Sequence, residues 1–267
     1  MSTISANLVK ELRDLTGAGM MDCKRALEET GGDVEAARVL LRERGMAQAG
    51  KRAGRETTEG RVLVRTEAGV GAVVAVGCET EPVSNNDEFR AFVERVLDAV
   101  FSNGEGAVEQ LEPDRVELVA KLGENIVVRT VARVVAIGGE DLASYVHVPA
   151  HKIGVLLRYR GDDAEAARRI AMHVASEAPS WLRREDVPAE VVEAEREIYR
   201  NSDEVLSKPE QAREKIVEGM LGKRFFAAKG GVLLDQAFIH DTAESVGRAA
   251  EEAGIEVVDF VRASVTE

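Results

Sequence analysis

The chain has 267 residues, of which 45% are hydrophobic, 31% charged and 4% aromatic, and its formal net charge is −13. That acidity is a poor match for phosphate backbones, which select for Lys and Arg patches, so no direct nucleic-acid contact is expected. Two widely separated cysteines, Cys23 and Cys78, make neither a disulfide framework nor a zinc pattern. No apolar run reaches membrane-spanning length and no signal peptide opens the sequence. The expectation is a cytoplasmic protein with buried, reduced thiols and no membrane contact.

From Leu8 to Gly45, apolar residues recur at helical spacing in three blocks. Leu8, Leu12 and Leu15 form the first, Met20, Cys23 and Leu27 the second, and Val34, Ala37 and Leu41 the third. Thr16-Gly17-Ala18-Gly19 and Gly31-Gly32-Asp33 separate them, with Asp33 placed to cap the third helix. This reads as a three-helix module over residues 1–46, near the lower size limit for independent folding. Met20 and Met21 are adjacent, so they point about 100° apart on a helix, and one of them is expected to be fully buried. Residues 47–59 are polar, basic and rich in small side chains. They read as a helix end followed by a solvated linker.

From Gly60 the period becomes strand-like. Arg61–Thr66 and Ala72–Val76 flank a Gly69-Val70-Gly71 turn and predict a hairpin. A loop over Cys78–Asn86 follows, then a helix over Asp87–Phe101 with Phe89, Phe92, Val93 and Val96 on its apolar face. Either Asn86 or Asp87 suits its N-cap. Pro113–Leu122 predicts a short helix and Glu124–Ile137 a third strand. Strands at Ser144–Val148 and Ile153–Tyr159 then precede a helix over Ala164–Ala178, so the strand-strand-helix order repeats. The fold class is α+β, with two related antiparallel subdomains over 60–140 and 141–267. Inside the second, two charged helical patterns beginning near Pro188 and Pro209 predict a helical hairpin over about 188–226, an arm projecting from the body. Val232–Phe238, a helix near Ser245–Ala253 and a strand over Glu256–Val265 complete the chain.

LTGAGMMDCKRALEETGGDVEAA resembles the N-terminal module of the bacterial elongation factor Ts family, a fold related to ubiquitin-associated domains. GCETEPVSNNDEF, AKLGENIVVRTVARV, SYVHVPAHKIGVLL, RRIAMHVASEAPSWLRREDVP, KIVEGMLGKRFF and LLDQAFIHD are similar to later parts of that family in the same order. The resemblance covers essentially the whole chain. It implies a guanine-nucleotide exchange factor for elongation factor Tu, without bond chemistry and without a cofactor. It further implies that Arg13, Met20 and Met21 contact the partner's nucleotide-binding domain. Thr80, Glu81, Pro82 and Val83 match the loop that disturbs the partner's magnesium site, and His147 matches a histidine that reaches toward the same region.

One departure stands out: where the family has Thr-Asp-Phe-Val, this chain has Thr80-Glu81-Pro82-Val83. Glu81 keeps the carboxylate with one more methylene, while Pro82 is apolar but lacks the area and shape of an aromatic ring. Proline also stiffens the backbone. The resemblance then implies a loop that still touches the partner with a weaker or replaced wedge, and a larger share of the work for His147. A second reading is a non-catalytic scaffold that binds through its ubiquitin-associated-like module. A third, ranked last, is an enzyme using Cys78, Glu79, Glu81 and His147, for which no phosphate loop, nucleophile elbow or metal-ligand spacing speaks. His151, His173 and His240 have no ligand spacing with His147, so no metal site is expected; His173, inside a helix, reads as a capped or core residue.

Overall fold

The run Val70–Cys78 forms β2, the centre of an antiparallel sheet ordered β1-β2-β3, with β1 at Glu59–Glu67 and β3 at Val127–Val135. Every residue from Gly71 to Cys78 is buried, which is why this strand reads as a continuous apolar run rather than an alternation. A computed structural model describes residues 4–266. Within it a second sheet repeats the order as β4 (Glu140–Val146), β5 (Ile153–Arg160) and β8 (Glu256–Ser264). The two sheets meet through Val62, Val73 and Ala75 on one side and Leu156, Ala263 and Val265 on the other.

Helices cover the outer faces. α5 (Asp87–Asn103) lays Phe89, Phe92, Val93 and Val96 over Ala72, Val74 and Val76, with α6 (Glu112–Leu122) beside it. α7 (Ala164–Glu177) and α11 (Val246–Glu252) do the same over Val155, Leu157 and Tyr159. The result is a helix–sheet–sheet–helix core. Its two halves also correspond in detail. Gly71 and Gly154 each occupy the second position of a central strand, where an added Cβ would lie 2.8 Å from Leu156 and 2.5 Å from Val62 respectively. The register slips between Ala75 and Val76 in one half and between Arg158 and Tyr159 in the other.

The N-terminal helices are α1 (Ala6–Thr16), α2 (Met20–Glu29) and α3 (Val34–Arg52), closed around Leu12, Cys23, Ala26, Leu27 and Ala37. Asp33 caps α3 by accepting the Ala36 N–H at 3.0 Å. Leu15 and Met20 leave their expected stripes and are exposed. α3 also runs into the segment expected to be a linker, because its Ala, Lys, Arg and Gln residues favour helix. The C-terminal part of α3, extension included, lies along α6, with Gly45 so near Ala120 that a Cβ would sit 2.7 Å from it, and the Arg52 guanidinium donates to the Val119 carbonyl at 3.2 Å. In the rest of the segment residues 53–56 and Thr58 are exposed, but the chain is tied to the core at two points. Thr57 is buried and its hydroxyl accepts from Arg129 at 2.7 Å, and the Arg55 carbonyl accepts from Asn125 at 2.8 Å.

In the second half the arm comprises α8 (Ala189–Arg200), α9 (Asp203–Leu206) and α10 (Glu210–Met220), ending in a π-helical turn at Leu221–Phe226. Pro188 and Pro209 take the N-cap positions, one residue before the helices that the sequence has them open. The arm has its own small core of Val187, Val205, Val217, Met220, Leu221 and Phe226. A short hairpin, β6 (Ala237–Phe238) with β7 (Asp241–Ser245), follows it and has no counterpart in the sequence pattern.

Candidate functional site

Between β2 and α5 the chain makes a helical turn, α4 (Glu81–Ser84), where the sequence suggests an irregular loop. The reason is Pro82: its fixed φ and missing N–H suit a first helical turn. Thr80 is extended and precedes the turn, the Ser84 N–H reaches the Thr80 carbonyl at 3.1 Å, and the Ser84 hydroxyl donates to the Glu81 carbonyl at 2.8 Å. Asn86 then caps α5, accepting from the Glu88 and Phe89 N–H groups at 2.8 and 3.3 Å. Val83 is half-buried against the Phe89 cluster, which orients the turn, and leaves Glu81 and Pro82 exposed.

The base of the turn is polar and closely bonded. Glu124 follows Gly123, the left-handed C-cap of α6. Its carboxylate accepts from the Glu79 N–H at 3.1 Å, the Thr80 N–H at 3.0 Å and the Thr80 hydroxyl at 2.5 Å. Glu79 accepts from the Asn125 N–H at 2.6 Å and lies 3.4 Å from the Arg55 guanidinium. Sequence reasoning missed Arg55, Glu124 and Asn125 and gave Glu79 no such part. The one available signal was a capping glycine followed at once by two side chains rich in hydrogen-bonding capacity.

His147 lies one residue beyond β4, not within a strand, because β4 begins earlier than expected and ends at Val146. It is exposed, and its Nδ1 is 2.9 Å from the Tyr145 hydroxyl. Its turn is tied to β1: the Val62 N–H donates to the His151 carbonyl at 2.7 Å, and Lys152 Nζ meets Glu59 at 2.5 Å. Glu59 pairs across from Cys78. The His147 turn and the Thr80–Val83 turn therefore occupy the same end of the sandwich.

The third group sits on the module. Arg13 is exposed, and Met20 and Met21 are 59% and 61% exposed. Neither methionine is buried, contrary to the helical-angle expectation, because both belong to the opening turn of α2, ahead of the inward-facing Cys23, Ala26 and Leu27. Between module and core lies a cleft of about 590 Å³ lined by Leu15, Val39, Gly45, Val116, Ala120 and Lys121.

Of the four residues in the enzyme reading, Cys78 is a buried thiol bonded within its own turn. The Cys78 thiol donates to the Thr80 carbonyl at 3.4 Å, and burial, with a smaller push from Glu124, moves its pKa up to about 12. An activated thiol shifts the other way. Among the described residues no group of three or more His, Cys, Asp and Glu side chains could hold a metal ion, and no helix is long and apolar enough to cross a membrane.

The fold is that of an α+β protein whose candidate side chains Glu81, Pro82, His147, Met20 and Met21 are exposed on turns and at a helix start. Comparison with known proteins makes this specific. The family described as Elongation factor TS matches residues 79–267. The elongation factor Ts of Idiomarina loihiensis is 43% identical over 274 residues, covering 99% of this chain and 91% of that protein. Those of Serratia proteamaculans and Escherichia coli are 42% and 41% identical over 271 residues, each covering 100% of this chain and 93% of the relative. The chain belongs to the elongation factor Ts family, and its role lies in translation elongation.

Proposed function

We propose that this protein is a guanine-nucleotide exchange factor that promotes GDP release from elongation factor Tu in the cytoplasm, by contact and without bond chemistry. The observation that carries the reading is the exposed Glu81-Pro82 pair on a helical turn whose base is anchored by Glu124 and whose flank is packed through Val83. An exchange factor must bind the nucleotide-free partner better than the GDP-bound one, and linkage requires the same coupling energy to loosen the nucleotide. A thousandfold acceleration corresponds to about 4 kcal/mol. A turn already held in shape loses little freedom on docking, so more of its contact energy goes into the partner.

In this mechanism Glu81 brings a carboxylate to the partner's magnesium site, and Pro82 presses a small apolar face beside it. His147, at the same end of the sandwich, adds a polar contact. Arg13, Met20 and Met21 hold the nucleotide-binding domain, the methionines adapting their unbranched side chains to its surface. The test is release of fluorescent GDP from the organism's own elongation factor Tu by substoichiometric amounts of this protein. Fast release over many turnovers supports the proposal; binding without acceleration overturns it in favour of a scaffold. Pro82→Phe, which restores an aromatic wedge, is expected to speed release further.

A further inference from the structure

Thr80 stands at the N-cap of α4, yet its hydroxyl makes no capping bond. A Thr at that position ordinarily accepts from the N–H two or three residues on. Here the residue two on is Pro82, which has no N–H. The hydroxyl instead donates to Glu124 at 2.5 Å, and the same carboxylate takes the backbone N–H groups of Glu79 and Thr80. One side chain from outside the turn thus holds the residues that lead into it, Glu79 and Thr80, rather than capping its first N–H groups.

The reciprocal half of this knot ties in two further segments. Glu79 accepts the Asn125 N–H at 2.6 Å. Asn125, only 2% exposed, donates its side-chain amide to the Arg55 carbonyl just beyond α3. The helix preceding Glu124 is α6, against which α3 of the N-terminal module lies through Gly45 and Arg52. A single element therefore carries the module along its length and grips the turn at its end.

We infer that Glu124 is a positioning residue for the exchange turn. Its carboxylate fixes Thr80 and, through α6, sets the Glu81-Pro82 tip in one geometry relative to Met20 and Met21. The two surfaces then engage the partner together. This inference rests on the exchange reading. Three hydrogen bonds from two successive residues converge on this one side chain, so its loss leaves the turn attached but unaimed.

The experiment compares wild type, Glu124→Ala and Glu124→Gln in the GDP-release assay at saturating elongation factor Tu. In parallel, the stoichiometry of binding to nucleotide-free elongation factor Tu reports the folded fraction. The Glu124→Gln side chain keeps an oxygen for the two backbone N–H groups, and the Thr80 hydroxyl can rotate to accept from its amide. Glu124→Ala is expected to keep full stoichiometry and lose about tenfold or more in saturating rate, with Glu124→Gln within about twofold of wild type. A wild-type rate in Glu124→Ala overturns the inference. So does a loss matched by reduced stoichiometry, and so does a Glu124→Gln rate as low as that of Glu124→Ala. No acceleration by the wild type overturns the exchange reading itself, and this inference with it.

Discussion

The two sheet-and-helix halves of the core share their strand order, a glycine where the sheets approach and a register slip toward the end of the central strand, but they differ in how that strand passes to its helix. β5 passes to α7 through Gly161, Asp162 and Asp163 alone, and Asp163 caps the helix directly by accepting the Ala166 N–H at 2.9 Å. β2 passes to α5 through Glu79–Asn86, long enough to hold α4 and a polar knot. Packing requires only the short connection. What the longer one adds at its tip, Glu81 and Pro82, is exposed and belongs to neither core, so the candidate site lies where one half departs from the other. The second half departs elsewhere, with an arm after α7 and a buried histidine within that helix.

Core truncations give the largest expected effects and ask whether the halves form one body. Phe92→Ala in the first half is expected to cost about 3–5 kcal/mol and Ile170→Ala in the second about 2–5 kcal/mol. Because the sheets share a core, calorimetry should show each lowering a single common transition; two separate transitions would break the correspondence into independent units. Next come the glycines. Gly71→Ala and Gly154→Ala both overpack the sheet interface and should cost about 1–3 kcal/mol in urea unfolding. The second is expected to be the worse, since its closest neighbour is the β-branched Val62 rather than Leu156.

His173, in the second half, should make the stability of the whole body depend on pH. It is fully buried, with Nε2 3.0 Å from the Gln236 carbonyl oxygen and Nδ1 accepting the Ile239 N–H at 3.3 Å, which suits the neutral ring. Burial pushes its pKa down, nearby His240 adding to this and Gln236 and Glu177 opposing it. The native state therefore binds fewer protons than the unfolded chain below the ordinary histidine value. Its contribution is present above about pH 6.5 and is lost on acidification by at most about 1.4 kcal/mol per pH unit. Urea midpoints between pH 5 and 7.5 should show that limb, and His173→Gln should flatten it. The smallest effect on stability belongs to Glu81→Ala, expected within about 0.5 kcal/mol of wild type because the residue is exposed.

The parts of this molecule that obey a period can be read from the sequence. The helix stripe of Phe89, Phe92, Val93 and Val96, the valine run of β2 and the Asp33 cap follow from local spacing, and the structure places them as expected. Residues whose setting depends on distant partners cannot be read in this way. Arg52 and Thr57 look like solvated linker because their acceptor and donor, Val119 and Arg129, lie far along the chain. Glu124 is invisible for the same reason. Met20 departs from its stripe because a stripe implies burial only where the helix has a neighbour to face, and the first turn of α2 leaves it exposed. Thr80, Glu81, Pro82, Val83 and His147 are identified by resemblance rather than by pattern; the helical form of their turn follows from Pro82 only once the fold is known.

The most direct trial of this account is the rate of fluorescent GDP release from elongation factor Tu catalysed by Glu81→Ala beside the wild type, with melting temperatures measured on the same samples. A fall of about tenfold or more at an unchanged melting temperature is expected if the surplus connection carries the function. An unchanged release rate would contradict it and move the function to the module or the arm.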